Sequence, residues 1–336
     1  MYFTSLMSSQ ETGKLRIMHL KRYWEKSLLK REGKTIDNET KEELRLDRIL
    51  LFALGLGLQQ TAVYLFENMP AFEQFEDWII ETAGMPAPEN VSRYNDEVCG
   101  ISQPLKAVPD VLNKEQLEFW DRNGYIILKN AVARRDCEET IELICQSIKI
   151  QREEPESWYR QHATQQGIMV QLFQHPVIQR NRGSVIIRQA YEQLWNRTDL
   201  WCTPDRLGFN PPETAEWKFP GPDLHWDVSL SLPVPFGLQG ILYLADTAAN
   251  QGALTVVPGF QHKVDDWIRG LPAAANPRQQ DLHALGSFAI AADAGDFIIW
   301  HQALPHGSSP NRSQKPRFVQ YINYEPLDQL EADKWI

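Results

Sequence analysis

A histidine and an aspartate lie two residues apart in the segment 222–230, Pro-Asp-Leu-His-Trp-Asp-Val-Ser-Leu. If this segment is a strand, its side chains alternate between two faces. We therefore expect His225 and Asp227 on one face, with Trp226 packing outward on the other. An imidazole and a carboxylate side by side are two of the three ligands of a 2-His-1-carboxylate iron(II) site. The tripeptide alone is a weak signal, because a strand histidine near an aspartate is more often a surface pair or a core residue.

Two histidines, His301 and His306, compete to be the third ligand. The sequence context favours His306, because the hydroxyl of Ser308 and the guanidiniums of Arg312 and Arg317 follow it at fixed offsets. We expect a structural role on a strand for His301. Arg312 lies in a Pro-Asn-Arg-Ser loop that we expect to face solvent, whereas Arg317 begins the last apolar strand.

The chain beyond Trp201 consists of short apolar runs separated by Gly, Pro, Asn and Asp, a texture typical of a sandwich or barrel. The predicted strands are 224–230, 237–245, 253–257, 287–291, 297–301 and 318–324. Upstream, the pattern predicts a helix that opens at a capping box over 113–116, a strand over 124–128, and helices over 135–148 and 171–195, the last broken near Gly183.

The first part of the chain has a different organisation. Residues 14–82 show apolar positions at helical spacing, which predicts a small helical bundle. The alternative is a docking module for a carrier protein or for a second copy in a homodimer. Residues 84–109 are rich in Pro, Asn, Ser and Gly, which favours a surface linker. We predict a helical segment with its linker over 1–110 and a β-rich domain over 111–336.

Composition limits the partners and the setting. Among 336 residues, 44 acidic ones outnumber 34 basic ones, and the net charge of −10 argues against nucleic acid or an anionic membrane as the main partner. Four cysteines without close pairing indicate a reducing, cytoplasmic setting. The start of the chain lacks the pattern of a signal peptide, and the most apolar run, 49–58, is too short to span a bilayer.

Taken together and in order, several motifs resemble one family. They are Leu-His-Trp-Asp at 224–227, the turn Asn-Gln-Gly-Ala-Leu at 250–254 leading to Val-Pro-Gly-Phe at 257–260, Gly-Asp at 295–296, and His-Gly-Ser at 306–308 with Arg317 eleven positions after the histidine. From about residue 114 to 326 the chain resembles the phytanoyl-CoA dioxygenase family of iron(II)- and 2-oxoglutarate-dependent oxygenases. His262 departs from the family's tighter turn by one residue.

The resemblance implies a fold and a metal site. The fold would be mainly β with flanking helices (α+β), a double-stranded β-helix or jelly-roll, cupin-like barrel, preceded here by the helical segment. By position, His225, Asp227 and His306 match the family's three iron(II) ligands. The open positions of the metal would take 2-oxoglutarate and dioxygen.

The resemblance also implies a clamp for the co-substrate. Arg317 matches the position that grips the far carboxylate of 2-oxoglutarate, and Ser308 matches the accompanying hydroxyl. Gln239, a polar residue in an apolar strand, either contacts 2-oxoglutarate or satisfies a core backbone group. Arg206 and Asn210 are weaker candidates for lining the pocket.

The function so implied is the hydroxylation of an unactivated C–H bond in a small organic substrate, with release of succinate and carbon dioxide. The substrate would be an acyl thioester, an amino acid or a natural-product intermediate. The same chemistry could instead give desaturation, epimerisation or cyclisation. A different class of function is a metal-binding jelly-roll scaffold without redox chemistry that acts through its amino-terminal helices.

Overall fold

Caps and glycines set the ends of the helices in the first part of the chain. The computed structural model describes residues 6–34, 36, 39–101, 106–329 and 334–336. Its early helices are α1 (Leu20–Arg31), α2 (Lys41–Leu54), α3 (Leu58–Asn68), α4 (Phe72–Ala83) and α5 (Pro88–Val98). At the start of α2, Thr40 accepts a hydrogen bond from the backbone amide of Glu43, and Gly55 ends the helix at φ 69°. The predicted amino-terminal helices are confirmed.

One compact unit comprises the described residues of Met1–Ala107 with Thr198–Pro204 and Pro326–Asp328. The apolar faces of its helices form one cluster that includes Ile49, Phe75, Ile79 and Tyr94. Within the described ranges no one helix has both the length and the apolar character to span a bilayer; α2 and α3 meet that test only as a pair, bent by 98°.

The linker predicted over 84–109 is wrong in its central part, where α5 forms. Pro88 lies in the first turn of this helix, where the missing amide costs nothing and the fixed φ suits the helix. Tyr94 is fully buried, and its hydroxyl donates to the carbonyl of Leu46 at 3.1 Å. A proline-rich composition is therefore compatible with the start of a helix as well as with a linker.

The second unit comprises Val108–Arg197, Asp205–Glu325 and the described residues of Gln329–Ile336. The remaining elements of the chain, in order, are α6 (Lys114–Asn123), β1 (Tyr125–Leu128), α7 (Arg134–Ser147), β2 (Gln165–Gln166), β3 (Met169–Val170), α8 (Pro176–Arg182), α9 (Val185–Trp195), β4 (Trp201–Cys202), β5 (Leu207–Asn210), β6 (Leu238–Tyr243), β7 (Thr255–Val256), α10 (Val264–Gly270), β8 (Phe288–Ala289), β9 (Phe297–His301), β10 (His306–Gly307), β11 (Arg317–Tyr321) and β12 (Tyr324–Glu325). The capping box at Asn113 and the break between α8 and α9 at Gly183 agree with the sequence pattern.

Two antiparallel sheets form the framework of this unit. The large sheet has the order β1-β9-β6-β11-β5-β3-β2, and the small one has the order β10-β7-β8. A bridge between His225 and His306 adds residue 225 to the edge of the small sheet beside β10. From β5 onward the chain crosses repeatedly between the sheets: β5, β6, β9 and β11 belong to the large sheet, and residue 225, β7, β8 and β10 to the small one. This is the connectivity of a jelly roll, and it confirms the predicted fold class.

The core of the unit lies between side chains of both sheets. Ile241, Ile298 and Val319 of the large sheet belong to the same apolar cluster as Val256 of the small sheet. These positions alternate along their strands with residues that face away, as the two-residue period of a strand requires. The walls that hold the candidate site are therefore fixed by a shared core.

The segment 224–230 is not the regular strand that the alternation predicted. Only His225 takes part in strand pairing there, and Trp226 does not pack outward: its ring is 2 % exposed and its indole Nε1 donates to the carbonyl of Ala303 at 2.9 Å. The ring centroid lies 6.2 Å from Phe260 and 6.0 Å from Trp267. Burial of a large aromatic ring stabilises the fold more than regular alternation of side chains does, and Trp226 therefore turns inward.

We predict that Gly240→Ala destabilises this unit by about 1–3 kcal/mol, the usual range for overpacking a core. An added Cβ would lie 2.4 Å from Cζ of Phe297 and 2.4 Å from the hydroxyl of Tyr191. Urea unfolding followed by tryptophan fluorescence measures the loss. Gly270→Ala is the matched control, because nothing lies within 4 Å of its added Cβ, and it should leave the midpoint unchanged or slightly higher. Equal midpoints for Gly240→Ala and wild type would contradict the packing described here.

Candidate active site

Three side chains far apart in sequence meet in the second unit. One ligand atom from each of His225, Asp227 and His306 lies within 4.8 Å of the other two. Nε2 of His225 is 3.3 Å from Oδ1 of Asp227, and Nε2 of His306 is 3.2 Å from Oδ2 of the same carboxylate. Within the described ranges, this is the group of histidine, cysteine and carboxylate side chains with the geometry to hold a metal ion.

The backbone brings the two imidazoles together. The amide of His225 donates to the carbonyl of His306 at 2.8 Å, and the amide of His306 donates back at 3.0 Å. The next residue, Gly307, allows this approach, since an added Cβ would lie 2.4 Å from the carbonyl oxygen of Asp223. The imidazole ring centroids are consequently 4.9 Å apart.

Backbone carbonyls also fix the tautomer of both rings. Nδ1 of His225 faces the carbonyl oxygen of Asp223 at 2.7 Å, and Nδ1 of His306 faces that of Leu304 at 3.0 Å. A carbonyl can only accept, so each Nδ1 carries a proton and Nε2 is the nitrogen of each ring that faces the shared centre. Protons on the two Nε2 atoms hydrogen-bond to Asp227, and a metal ion held between the three groups would take the place of those protons.

The electrostatics keep Asp227 ionised. Burial by itself would raise the pKa of this carboxyl, but the hydrogen bonds from His225 and His306 outweigh burial and hold the pKa well below its usual range. Burial lowers the pKa of His225, while the hydrogen bond and the charge of Asp227 raise it, with a net upward shift. The three side chains are thus arranged around the single negative charge of Asp227, which faces the cavity.

Gln239 contacts the triad rather than a core backbone group. Its Nε2 donates to Oδ2 of Asp227 at 2.7 Å, and its Oε1 accepts from Nε1 of Trp300 at 3.1 Å. The Trp300 ring centroid lies 5.2 Å from that of His306. The chain of donors runs from the indole through the amide to the carboxylate, which orients the carboxylate toward the two imidazoles.

Arg317 is fully buried and only partly satisfied. Its Nη2 donates to the hydroxyl of Ser308 at 2.9 Å, whereas Nε and Nη1 are buried with no hydrogen-bond partner among the described residues. An unpaired buried guanidinium N–H is costly, and a carboxylate can satisfy two such groups at once. These donors therefore indicate a place for an anionic ligand.

Tyr321 belongs to the same end of the site and was not singled out from the sequence. It lies four residues after Arg317 on β11, so the two side chains share a face of the strand. Its hydroxyl is hydrogen-bonded to Ser308; burial raises the pKa of the phenol, and the positive charge of Arg317 opposes that rise. Period-two alternation starting from Arg317 would have identified it.

A cavity of about 410 Å³ lies among these groups, with Arg317 outside its lining. It is lined by the triad, Ser308 and Tyr321, and on its remaining walls by Gln166, Gly167, Met169, Asp205, Arg206, Pro220, Gly221, Pro222, Gln239, Gly240, Ile241, Leu254, Trp300, Gly307 and Asn323. Arg206 thus lies where the sequence suggested. Asn210 is instead buried away from the lining, with Nδ2 donating to the carbonyl of Ser309 at 3.1 Å.

Arg278 supports the segment that carries Asp227. Its guanidinium donates to the carbonyls of Trp226 at 2.7 Å and Val228 at 2.6 Å, the residues on either side of Asp227. It also donates to the carbonyl of Ile336 at 3.1 Å and 3.0 Å. Nothing local in the sequence pointed to it, because it lies fifty residues beyond the segment it holds.

The competing histidine is not part of the triad. Nδ1 of His301 accepts a hydrogen bond from the backbone amide of Ala303 at 3.0 Å. Burial, helped by the nearby His262, lowers the pKa of His301 to about 4. The exposed side chain of Arg312 agrees with the solvent-facing loop predicted for it.

Comparison with known proteins gives one family. The family model described as Phytanoyl-CoA dioxygenase (PhyH) matches residues 120–319. A putative phytanoyl-CoA dioxygenase of Dictyostelium discoideum is 21 % identical over 268 residues, covering 65 % of this chain and 77 % of that protein. The human peroxisomal phytanoyl-CoA dioxygenase is 24 % identical over 226 residues, covering 61 % of this chain and 66 % of that protein.

Solved structures are similar to this chain at a lower level. EctD from S. alaskensis with bound Fe aligns with a TM-score of 0.48 and 17 % identity, covering 68 % of this chain and 84 % of that one. The epimerase SnoN in complex with Fe3+, alpha ketoglutarate and nogalamycin RO aligns with a TM-score of 0.46 and 16 % identity, covering 66 % and 91 % respectively.

We predict that His301 makes the fold acid-sensitive. Its pKa is about 4 in the folded chain and about 6.5 when unfolded, so between these values the unfolded chain binds the extra proton. The contribution of His301 to stability is complete above pH 6.5 and is lost as the pH falls toward 4. His301→Gln should therefore show a smaller decrease in melting temperature between pH 7 and pH 5 than wild type, measured by calorimetry.

The matched control is His162→Gln, which changes a partly exposed turn histidine bonded to Thr164. It should keep the wild-type dependence on pH. The same slope for His301→Gln and wild type would show that the imidazole is not held in its neutral form.

Proposed function

This chain belongs to the phytanoyl-CoA dioxygenase family of iron(II)- and 2-oxoglutarate-dependent oxygenases, and from that membership we propose that it hydroxylates an unactivated C–H bond of a small organic substrate. The family's cofactors are iron(II), 2-oxoglutarate and dioxygen. The observation that carries the proposal is the buried guanidinium of Arg317, whose Nε and Nη1 have no described partner, in the same unit as a His-Asp-His metal-binding group.

The donor set suits iron(II). His225, Asp227 and His306 would hold the metal through two neutral imidazole nitrogens and one carboxylate oxygen, the ligand set of non-haem iron(II) oxygenases. The carbonyls that bind Nδ1 leave Nε2 of both rings directed at the metal position, and Asp227 is already ionised. Gln239 would hold the carboxylate in place while the metal binds.

The other end of the site suits 2-oxoglutarate. Arg317 would receive the far carboxylate on Nε and Nη1, with Ser308 and Tyr321 as hydroxyl partners. When bound, iron(II), 2-oxoglutarate and dioxygen would supply the oxidative decarboxylation that yields succinate and carbon dioxide and oxidises the substrate, with dioxygen as the oxidant. The chain's own residues fix the direction of the co-substrate, and Trp300 and Leu254 line the adjacent cavity wall and limit the water around it.

A metal-binding scaffold without redox chemistry explains the triad but not the clamp. Such a protein has no use for a buried guanidinium whose remaining donors are unpaired, because that arrangement lowers stability unless an anion fills it. Hydroxylation is the outcome we propose; desaturation, epimerisation and cyclisation share the same site residues and differ in the product.

The test is the binding of 2-oxoglutarate to the manganese(II)-loaded protein by isothermal titration, with succinate release from the iron(II) form. We expect wild type to bind and to release succinate when a metabolite library supplies its substrate. Asp227→Ala should lose both properties with its metal. Arg317→Gln should raise the Kd for 2-oxoglutarate by about 10–100-fold, because charge-assisted hydrogen bonds in a buried site are lost.

Arg312→Gln is the matched control, since it removes an exposed guanidinium five residues away on the same segment. It should bind 2-oxoglutarate like wild type. Wild-type affinity in Arg317→Gln would refute the assigned clamp, and the absence of metal-dependent 2-oxoglutarate binding in the wild type would refute the proposed function.

We also predict that Arg278→Ala weakens manganese(II) binding by about tenfold, the lower range for the loss of a group that orients metal ligands. The substitution removes the two donors that hold the carbonyls beside Asp227. Electron paramagnetic resonance of free and bound manganese(II) measures the affinity. Arg269→Ala, which removes an exposed guanidinium paired with Asp265 and Asp266, is the control. Unchanged metal affinity with a lower melting temperature would limit Arg278 to a structural role.

A further inference from the structure

The cavity also has a charged pair, Asp205 and Arg206, to which the proposed function assigns no role. Both residues line the same cavity as the triad. The amide of Tyr321 donates to the carbonyl of Arg206 at 3.2 Å, which continues the β5–β11 ladder by one step beyond the pair of Leu207 and Gln320. Arg206 therefore lies directly opposite Tyr321.

This register places the two arginines on one face and far apart. Directly opposite residues of an antiparallel pair share a face, so Arg206 lies on the face of Tyr321 and Arg317. Arg317 pairs with Asn210, four positions along β5 from Arg206, a separation of roughly 13 Å along the strand. A five-carbon diacid spans only about 6 Å, four bonds of about 1.5 Å each, so the backbone positions of the two arginines are farther apart than such a molecule is long.

The charges at this end are arranged for a ligand. Nε of Arg206 lies 3.6 Å from Oδ1 of Asp205, an ion pair that is too long for a hydrogen bond, and the Arg206 side chain is 37 % exposed. The structure describes no acceptor for the two terminal amino groups of Arg206. Two donors hold the carboxylate of Asp205 in place. Its Oδ1 accepts from the amide of Arg206 at 2.7 Å, and its Oδ2 accepts from Nδ2 of Asn323 at 3.1 Å. Each carboxylate oxygen keeps a lone pair for one more donor.

The charge balance identifies the kind of ligand. An isolated anion would sit beside the carboxylate of Asp205, and an isolated cation beside the guanidinium of Arg206, so each would meet one repulsive neighbour. A molecule with adjacent positive and negative groups meets an attractive partner at both. The cavity of about 410 Å³ is near the lower end of the usual range for ligand sites, roughly 300–1,000 Å³, and under the proposed function 2-oxoglutarate would take part of it.

We propose that the oxidised substrate is a zwitterionic amino acid whose carboxylate binds Arg206 and whose ammonium group binds Asp205. The apolar wall of Met169, Pro220 and Pro222 then receives its side chain. This inference rests on the proposed function, since it takes the occupant of the Arg317 end to be 2-oxoglutarate.

The experiment uses the full chain loaded with manganese(II) and 2-oxoglutarate, and follows its melting temperature with each of the common L-amino acids. We expect at least one to raise the melting temperature by ligand linkage and to stimulate succinate release from the iron(II) form. For that amino acid, the N-acetyl derivative and the carboxamide, which each remove one charge, should bind about tenfold more weakly or worse.

Two variants assign the contacts. Arg206→Gln should weaken the amino acid by about tenfold or more while leaving the Kd for 2-oxoglutarate within about twofold. Asp205→Asn, of nearly the same volume, should remove the preference for the free amine over its N-acetyl derivative. Arg188→Gln, on α9 outside the cavity lining, is the control for the loss of a partly exposed arginine and should bind both ligands like wild type.

Three results would overturn the inference. The first is wild-type protein that binds manganese(II) and 2-oxoglutarate but none of the amino acids. This result would overturn the inference and leave the proposed function intact. Loss of 2-oxoglutarate binding in Arg206→Gln would assign Arg206 to the co-substrate instead. Equal affinity for the amino acid and both derivatives would show that the site recognises neither the ammonium group nor the carboxylate.

Discussion

The reciprocal backbone hydrogen bonds between His225 and His306 are the constraint from which the site follows. They add residue 225 to the small sheet and bring together the two backbone positions whose imidazole centroids lie 4.9 Å apart. Gly307 permits the approach, since any Cβ there would collide with the carbonyl of Asp223. Asp227, Gln239 and the cavity walls are arranged around a spacing that the main chain has already determined.

From the sequence, the candidate site residues were easier to predict than the secondary structure and packing around them. His225, Asp227 and His306 lie together as the order of ligand types along the chain suggested, and their role as metal ligands stays a prediction. The roles of Arg317 and Ser308 came from the resemblance to the family and stay predictions as well. The pattern did not predict which side chains from distant segments contact each other. The donation from Gln239 to Asp227 depends on how two distant segments meet, and a periodicity argument contains no such information.

Regular periodicity also failed where packing competed with it. Alternation predicted a strand over 224–230 with Trp226 outward, yet the indole is buried because its surface is large and Ala303 offers a hydrogen-bond acceptor. The proline-rich stretch before residue 110 resembled a linker, but Pro88 is compatible with a first helical turn and Tyr94 supplies an apolar anchor. Both errors arose from local rules that tertiary burial overrides.

The backbone carbonyls that bind Nδ1 of His225 and His306 have an evolutionary consequence. Because main-chain atoms rather than neighbouring side chains set the tautomer, substitutions in the surrounding wall leave the ligand nitrogens in the same state. The wall between residues 166 and 222 can therefore change without altering which nitrogen of each imidazole faces the candidate metal site. Such separation of reactivity from recognition lets new substrates be acquired one substitution at a time.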